Sequence, residues 1–248
     1  VRYDRQSGER IGIKPQPGKD EAAYRWNWDA PLLISPHDHK TLFFCANKVF
    51  KTTDRGNSWE TISPDLTRQL DRNQMKVMGE IQSPDVVMKN KSTTIYGNIV
   101  AFDQSPINAD LLYAGTDDGL IQVSDDGGES WSKKESFPGV PKLTYVNMLW
   151  ASQHDENVVY GAFNNHKNGD FKPYLLKSSD KGKSWVSIAS NLPERGSVYA
   201  IAEDHVIANL LFAGTEFGVF FTVDGGKKWT QLKGGLPTIA IRDIEIQK

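Results

Sequence analysis

The sequence of 248 residues has a single cysteine, Cys45, so an internal disulfide is excluded. It has no apolar run near the roughly 18 residues of a membrane-spanning helix, which argues against membrane insertion. It has no excess of either charge: 29 basic residues face 31 acidic ones, for a net −2. A nucleic-acid surface or an anionic membrane as main partner is therefore disfavoured. Heptads, low-complexity tracts and zinc-ligand spacings such as HExxH are also missing. Cys45 lies in LFFCANK with no histidine constellation around it, so a small buried hydrophobe is expected rather than a nucleophile. The chain opens on Val1 without a signal peptide, as expected of a mature or excised piece. With 38% hydrophobic and 24% charged residues, it has the material for a sizeable core.

What it does have is a repeat. The octapeptide SDDGGESW, with Ser124, Asp126, Gly128 and Trp131, recurs three more times. The other copies carry Thr52, Asp54, Gly56 and Trp59; Ser178, Asp180, Gly182 and Trp185; and Thr222, Asp224, Gly226 and Trp229. One match to [ST]-x-D-x-G-x-x-W is about a one-in-a-thousand event at ordinary residue frequencies, so four exclude chance. Each fixed position has a physical role. Asp accepts hydrogen bonds from the amides of its own turn. Gly supplies the positive φ of a tight hairpin. Trp begins the next strand and buries its indole on a neighbouring sheet. The intervening lysines and Arg55, and the absence of EF-hand spacing, make a calcium loop the poorer reading.

The surrounding segments align as well. Each unit opens on an apolar strand (APLLISP, NIVAFDQSP, NMLWASQHD, YAIAED) and continues into a second (KTLFFCAN, DLLYAGT, NVVYGAF, NLLFAGT). A third strand, the octapeptide turn and a fourth strand complete it. Four short antiparallel strands at a period of about 45 residues predict an all-β fold: a β-propeller, or a segment of one. Four complete blades are expected at 23–63, 95–138, 142–190 and 196–234. Residues 1–22 read as the outer hairpin of a preceding blade, and 238–248 as the first strand of a following one. Ser63-Pro64 ahead of DLTRQLDRNQMKVMGEI carries a helix-cap signal, predicting one or two short helices in an insertion at 64–94. A smaller insertion spans His166 to Pro173. The unfinished ends imply the rest of a larger propeller as partner, with closure of a small ring as the alternative.

The octapeptide resembles the Asp-box, or bacterial neuraminidase repeat, found in sialidases, two-propeller xyloglucanases, the sortilin-type receptor propeller and a photosystem II assembly propeller. From about Arg25 to Gln247 the wording is most similar to large secreted bacterial BNR-repeat or sortilin-N-terminal-like glycosyl hydrolase proteins. The resemblance implies a propeller and an extracellular, periplasmic or cell-envelope setting. It does not imply one activity, since the family spans enzymes, receptors and assembly factors.

Propellers bind ligands where their inner strands begin, around the central channel. Trp26, Trp28, Tyr96, Asn98, Tyr145, Asn147, Tyr199 and Arg242 fall at such places, and aromatic, amide and guanidinium groups suit sugars or peptide segments. Plugging of a closed channel is the competing reading. Glycoside hydrolysis needs two carboxylates about one sugar. Asp29 and Asp243 are the weak candidates for that role; Asp117, Asp118 and Glu216 sit in equivalent turns of two blades and read as structural. The arginine triad and Tyr–Glu pair of the sialidases do not assemble. His37, Asp38, His39, His154 and His205 lie in equivalent hairpin turns, so no metal and no cofactor is expected. The leading expectation is a non-catalytic propeller segment that binds a protein or a glycan. A carbohydrate-active enzyme fragment and a scaffold subunit are the alternatives.

Overall fold

The computed structural model describes residues 1–77, 79–87 and 96–247. Four antiparallel sheets dominate it, and in each the four strands pair in chain order. Blade 1 comprises Leu32–Ile34, Leu42–Cys45, Val49–Thr52 and Glu60–Thr61. Blade 2 comprises Ile99–Gln104, Leu112–Thr116, Ile121–Ser124 and Ser132–Lys134. Blade 3 comprises Tyr145–Ala151, Val159–Asn164, Tyr174–Ser178 and Val186–Ser187. Blade 4 comprises Val198–Glu203, Leu211–Thr215, Gly218–Thr222 and Thr230–Gln231. This is the arrangement of β-propeller blades.

The core lies between blades, not within them. Phe43, Cys45 and Val49 of blade 1 meet Ile99, Phe102 and Leu112 of blade 2. Leu111, Tyr113 and Ile121 of blade 2 meet Val146, Phe163 and Trp185 of blade 3. Tyr160, Leu175 and Ile188 of blade 3 meet Ile201, Leu211 and Trp229 of blade 4. Second strands are covered on both faces, so they read as continuous apolar runs with small residues where a neighbour presses close. A methyl group on Gly115 would collide with Val146 of the next blade. Cys45 is fully buried in this packing, and burial pushes its thiol pKa up.

Each octapeptide forms the same closed turn. In blade 2, Ser124 Oγ donates to Asp126 Oδ1 at 2.7 Å and accepts the Gly128 N–H at 2.8 Å. Asp126 Oδ1 also accepts the Ser130 N–H at 2.9 Å. Blades 1 and 3 repeat these bonds through Thr52, Asp54 and Ser58 and through Ser178, Asp180 and Ser184. In blade 4, Lys228 replaces the serine, and the Asp224 carboxylate keeps the amide donors of Lys227 and Lys228. Donors from Ser58, Ser130 and Ser184 hold Asp54, Asp126 and Asp180 at about 2.

The turns also fasten one blade to the one before it. Trp59 Nε1 donates to Ile13 O, Trp131 Nε1 to Ile62 O and Trp229 Nε1 to Ile188 O, at 2.7, 3.1 and 2.7 Å. Gly56, Gly128 and Gly226 (φ 85°, 107° and 95°) lie so close to those isoleucines that a methyl would collide. Blade 3 differs because Lys134 stands where the isoleucine would be. Its indole bonds to Gly182 O within its own turn, and Lys134 Nζ donates to Lys183 O. The indoles of Trp185 and Trp229 are buried; those of Trp59 and Trp131 are half-buried.

Antiparallel parity sorts the loops onto two faces. The octapeptide turns share one face with the hairpins between first and second strands, to which they bond: Gly127 N to Asp110 O, Lys181 N to Asn157 O, Gly225 N to Asn209 O. His37 and His154 sit in those hairpins and pair through Nε2 with Ser105 O and Asp204 O of the following blade, at 2.8 and 2.7 Å. Among the described residues no group of three His, Cys, Asp or Glu could hold a metal ion. The opposite face carries the turns between second and third strands, the connections between blades and both insertions.

Two expectations are met only in part. Among its described residues the insertion at 64–94 holds one short helix, the 3-10 helix Arg72–Gln74 capped by Asp71, and a hairpin, Lys76–Val77 with Glu80–Ile81. The presumed cap, Ser63, accepts the Val49 N–H at 2.8 Å, and Asp65, Thr67 and Arg68 are drawn into contacts with other segments. Its residues 78 and 88–94 lie outside the described residues. The segment from 238 to 247 forms no ladder, because no second strand lies beside it; a single bond from Ile241 N to Thr215 O holds it. At the other end Arg2–Tyr3 and Arg10–Ile11 do pair as a hairpin.

Truncating a buried turn tryptophan, Trp185→Ala or Trp229→Ala, is expected to destabilise by about 3–5 kcal/mol in urea unfolding. The half-buried Trp131→Ala loses less. Stability should also depend on pH through Asp103, whose carboxylate is desolvated between the inner strands of blades 2 and 3. It accepts the Ala151 N–H at 2.7 Å and is pushed up to about 7 from 3.8. The folded chain then holds this proton more tightly than the unfolded one. Its contribution is full below about pH 4 and is lost as pH rises through about 7. Asp103→Asn should flatten the fall in melting temperature between pH 4 and 7. Turn aspartates act in a lower window, losing their contribution as pH drops from about 4 towards 2.

Candidate functional site

The inner strands of three blades share an irregularity. One extra residue interrupts the pairing of first and second strands: Val100 in blade 2, Asn147 in blade 3 and Tyr199 in blade 4. A bulge of this kind re-aims a side chain that regular alternation would send elsewhere. All three bulged residues line one cavity of about 420 Å³, beside Leu33 and Met148. Arg242 lies in the same relation to Ile241 as Tyr199 to Val198, and it lines the cavity with Asp243. Asp29 completes the wall from the segment entering blade 1.

Within the cavity the polar groups form a short chain. Asn147 Nδ2 donates to Tyr199 O at 2.5 Å. The Arg242 guanidinium stands 4.7 Å over the Tyr199 ring, within cation–π range. Tyr199 itself is buried, and desolvation together with nearby Glu216 raises its hydroxyl pKa. The carboxylates of Asp29 and Asp243 are exposed residues on the same wall, so negative groups and one guanidinium face a common space. Such a site can hold a polar ligand by charge-assisted hydrogen bonds while its apolar wall covers one side.

The structure divides the residues expected at the site. Asn147, Tyr199, Arg242, Asp29 and Asp243 come together. Trp26 packs instead between Phe44 and Phe50, with Lys14 Nζ 4.5 Å over its ring. Trp28 is 84% exposed and away from the cavity lining. Tyr145 carries Lys167 over its ring, and burial with nearby Asp29 raises its pKa. Tyr96 is likewise raised by burial, near Asp118 and Asp117. Asn98 is fully buried and belongs to a structural network. Asp117 accepts the N–H groups of Gly97 and Asn98 and the Asn98 amide. Asp118 accepts the Thr116 hydroxyl and the Arg68 N–H, while Arg68 Nε donates to Asp118 O. Burial raises both carboxyls. Arg25 links this network to the insertion, bonding Asp65 at 2.7 Å, Thr67 and Gly97 O. The bulges have no local sequence signal, since the extra residues Val100, Asn147 and Tyr199 share no chemical type.

No protein-family profile matches the sequence, and no curated protein sequence matches it. Solved structures do resemble the fold. An ancestral GH74 enzyme superposes with a TM-score of 0.60 at 17% identity, over 86% of this chain and 25% of that one. The GH74 xyloglucanase from Xanthomonas campestris gives 0.56 at 21% identity, over 82% and 29%. The extracellular domain of BT4673 from B. thetaiotaomicron gives 0.56 at 14% identity, over 94% and 26%. This chain spans little more than a quarter of the length of such proteins, and the likeness is one of fold.

Asp117→Ala leaves two backbone N–H groups without their acceptor, and it should destabilise by about 3 kcal/mol in urea unfolding. Trp28→Ala, on an exposed ring, should change stability by less than about 0.5 kcal/mol.

Proposed function

We propose that the chain is a non-catalytic, ligand-binding segment of a β-propeller belonging to a secreted or cell-envelope protein, with a glycan or a protein segment as ligand. The observation that carries this reading is the convergence of Asn147, Tyr199 and Arg242 on one cavity from the first strands of blades 3 and 4 and the segment after blade 4. A guanidinium stacked on an aromatic ring and an amide beside it offer donors to hydroxyl or carbonyl oxygens. Solved structures of like fold include an enzyme described as a xyloglucanase and an extracellular domain, which agrees with a carbohydrate-related, extracellular setting. The octapeptides resemble the Asp-box pattern in sequence, which supports this reading.

A second reading rests on one observation: Asp29 and Asp243 line the same cavity. Two carboxylates about one space are the minimum for glycoside hydrolysis, so a carbohydrate-active fragment is the alternative. The ends favour a part in something larger. Ile13 receives Trp59 as Ile62 receives Trp131, which supports reading the N-terminal hairpin as the outer half of a preceding blade. Ile241 covers Gly214 as Val146 covers Gly115, which supports reading 238–247 as the inner segment of a following blade, although it forms no ladder here.

A glycan array followed by titration calorimetry tests the proposal. Arg242→Ala should weaken the best ligand by about 10–100-fold, the worth of a charged hydrogen bond, with the melting temperature kept. On this reading neither the parent chain nor its Asp29→Asn and Asp243→Asn variants should release sugar. Reducing-end release that either substitution abolishes would move the assignment to the hydrolase.

A further inference from the structure

A second and larger opening lies on the insertion face, and it shares no lining residue with the central cavity. It measures about 920 Å³ and runs between Pro138 of the connection leaving blade 2, the blade 3 insertion and the connection from blade 3 to blade 4. In the other blades the corresponding turn between second and third strands is short, as at Asp117–Gly119 or Glu216–Phe217. The groove therefore exists because of the insertion at 166–173. That insertion is built rather than loose. Asp170 accepts the Tyr174 hydroxyl at 2.5 Å and the Asn165 amide at 3.0 Å, and Gly169 takes the left-handed conformation (φ 73°) that closes the turn His166–Asn168.

The walls define a ligand class. Leu176, Ala189 and Leu192 are buried residues that give the groove an apolar floor. Phe171 stands half-buried at its side with the Arg195 guanidinium 5.8 Å from its ring centre. The charges balance, Lys172 and Arg195 against Asp170 and Glu194, so the groove has no net charge with which to select an ion of either sign. Among the described residues neither Glu194 nor Arg195 forms an ion pair, which leaves an acceptor and a donor fork at the rim. A neutral ligand that donates and accepts around its edge, and shows C–H groups on its faces, fits this combination. Sugars have that chemistry. The volume lies at the upper end of the roughly 300–1,000 Å³ usual for small-ligand pockets, more than a single ring fills.

We propose that this groove is a second binding site, specific for a neutral oligosaccharide, with Phe171 as its stacking platform and Glu194 and Arg195 as its hydroxyl-binding groups. It does not depend on the ligand of the central cavity.

Calorimetric titration of the intact chain with cellotetraose, xylotetraose, mannotetraose and tetragalacturonate tests it. At least one neutral tetrasaccharide should bind, and more tightly than tetragalacturonate. Phe171→Ala and the exposed-site variant Glu194→Gln should each weaken it tenfold or more without a change in melting temperature, while Arg242→Ala leaves it unchanged. No neutral binder, tighter binding of tetragalacturonate, or binding that survives both groove substitutions would overturn the proposal. Loss with Arg242→Ala alone would overturn it too, and would leave the central-cavity reading standing.

Discussion

The carboxylate at the third position of each octapeptide holds the architecture together. By accepting the hydroxyl two residues before it and the amide four residues after it, it turns a polar Gly-rich run into a closed ring of hydrogen bonds. That ring fixes where the following glycine and tryptophan stand. The glycine lets the backbone approach the preceding blade to within contact of Ile13, Ile62 or Ile188, and the indole N–H finds a carbonyl there. Without the ring the tryptophan would be a large apolar group on a mobile loop. With it, each blade is held at a set distance from its neighbour, and the inter-blade clusters can pack.

The same interaction separates structure from chemistry in space. The octapeptide turns are bonded internally and to the adjoining hairpins, so their carboxylates have few free lone pairs and low pKa values. The histidines of that face are likewise spent on carbonyls of the next blade. The opposite face follows another rule. Its turns and connections vary in length from blade to blade, and it carries both insertions. One insertion is tied down by Arg25, Asp65, Arg68 and Asp118. The other encloses a groove. Rigid turns on one face are what allow variable loops on the other.

This division explains what the sequence made legible. Blade count, strand order and the hairpin turns could be read because each depends on a local pattern: alternation, a turn residue, a tryptophan at fixed spacing. Part of the site was legible too, since Asn147, Tyr199 and Arg242 follow equivalent apolar residues. Trp26, Tyr96, Asn98 and Tyr145 have the same local look, yet long-range partners decide their roles: Phe44 and Phe50 for Trp26, Asp117 for Asn98. The helix signal at Ser63 failed for a related reason. A cap hydroxyl serves any nearby N–H, and Ser63 takes that of Val49, the first residue of the third strand of blade 1. The groove beside Phe171 left no trace in the repeat, because it is made by residues that interrupt it.

Among the described residues each buried cluster joins two consecutive blades. Stability is then close to a sum over neighbouring interfaces, as in other repeat architectures, so a run of blades is held by its internal interfaces whatever lies beyond them. The central cavity obeys a different logic. Its wall takes residues from all four first strands and from the segment after blade 4, so its shape depends on the angle accumulated across every interface at once. A small change at one docking isoleucine would alter packing at one interface by a fraction of an ångström. Arg242 and Asp29 stand at the two ends of the series, so their separation carries the changes at every interface between them. The shape of the cavity is therefore sensitive to how the blades are fastened, although neither the docking isoleucines nor the turn tryptophans line it.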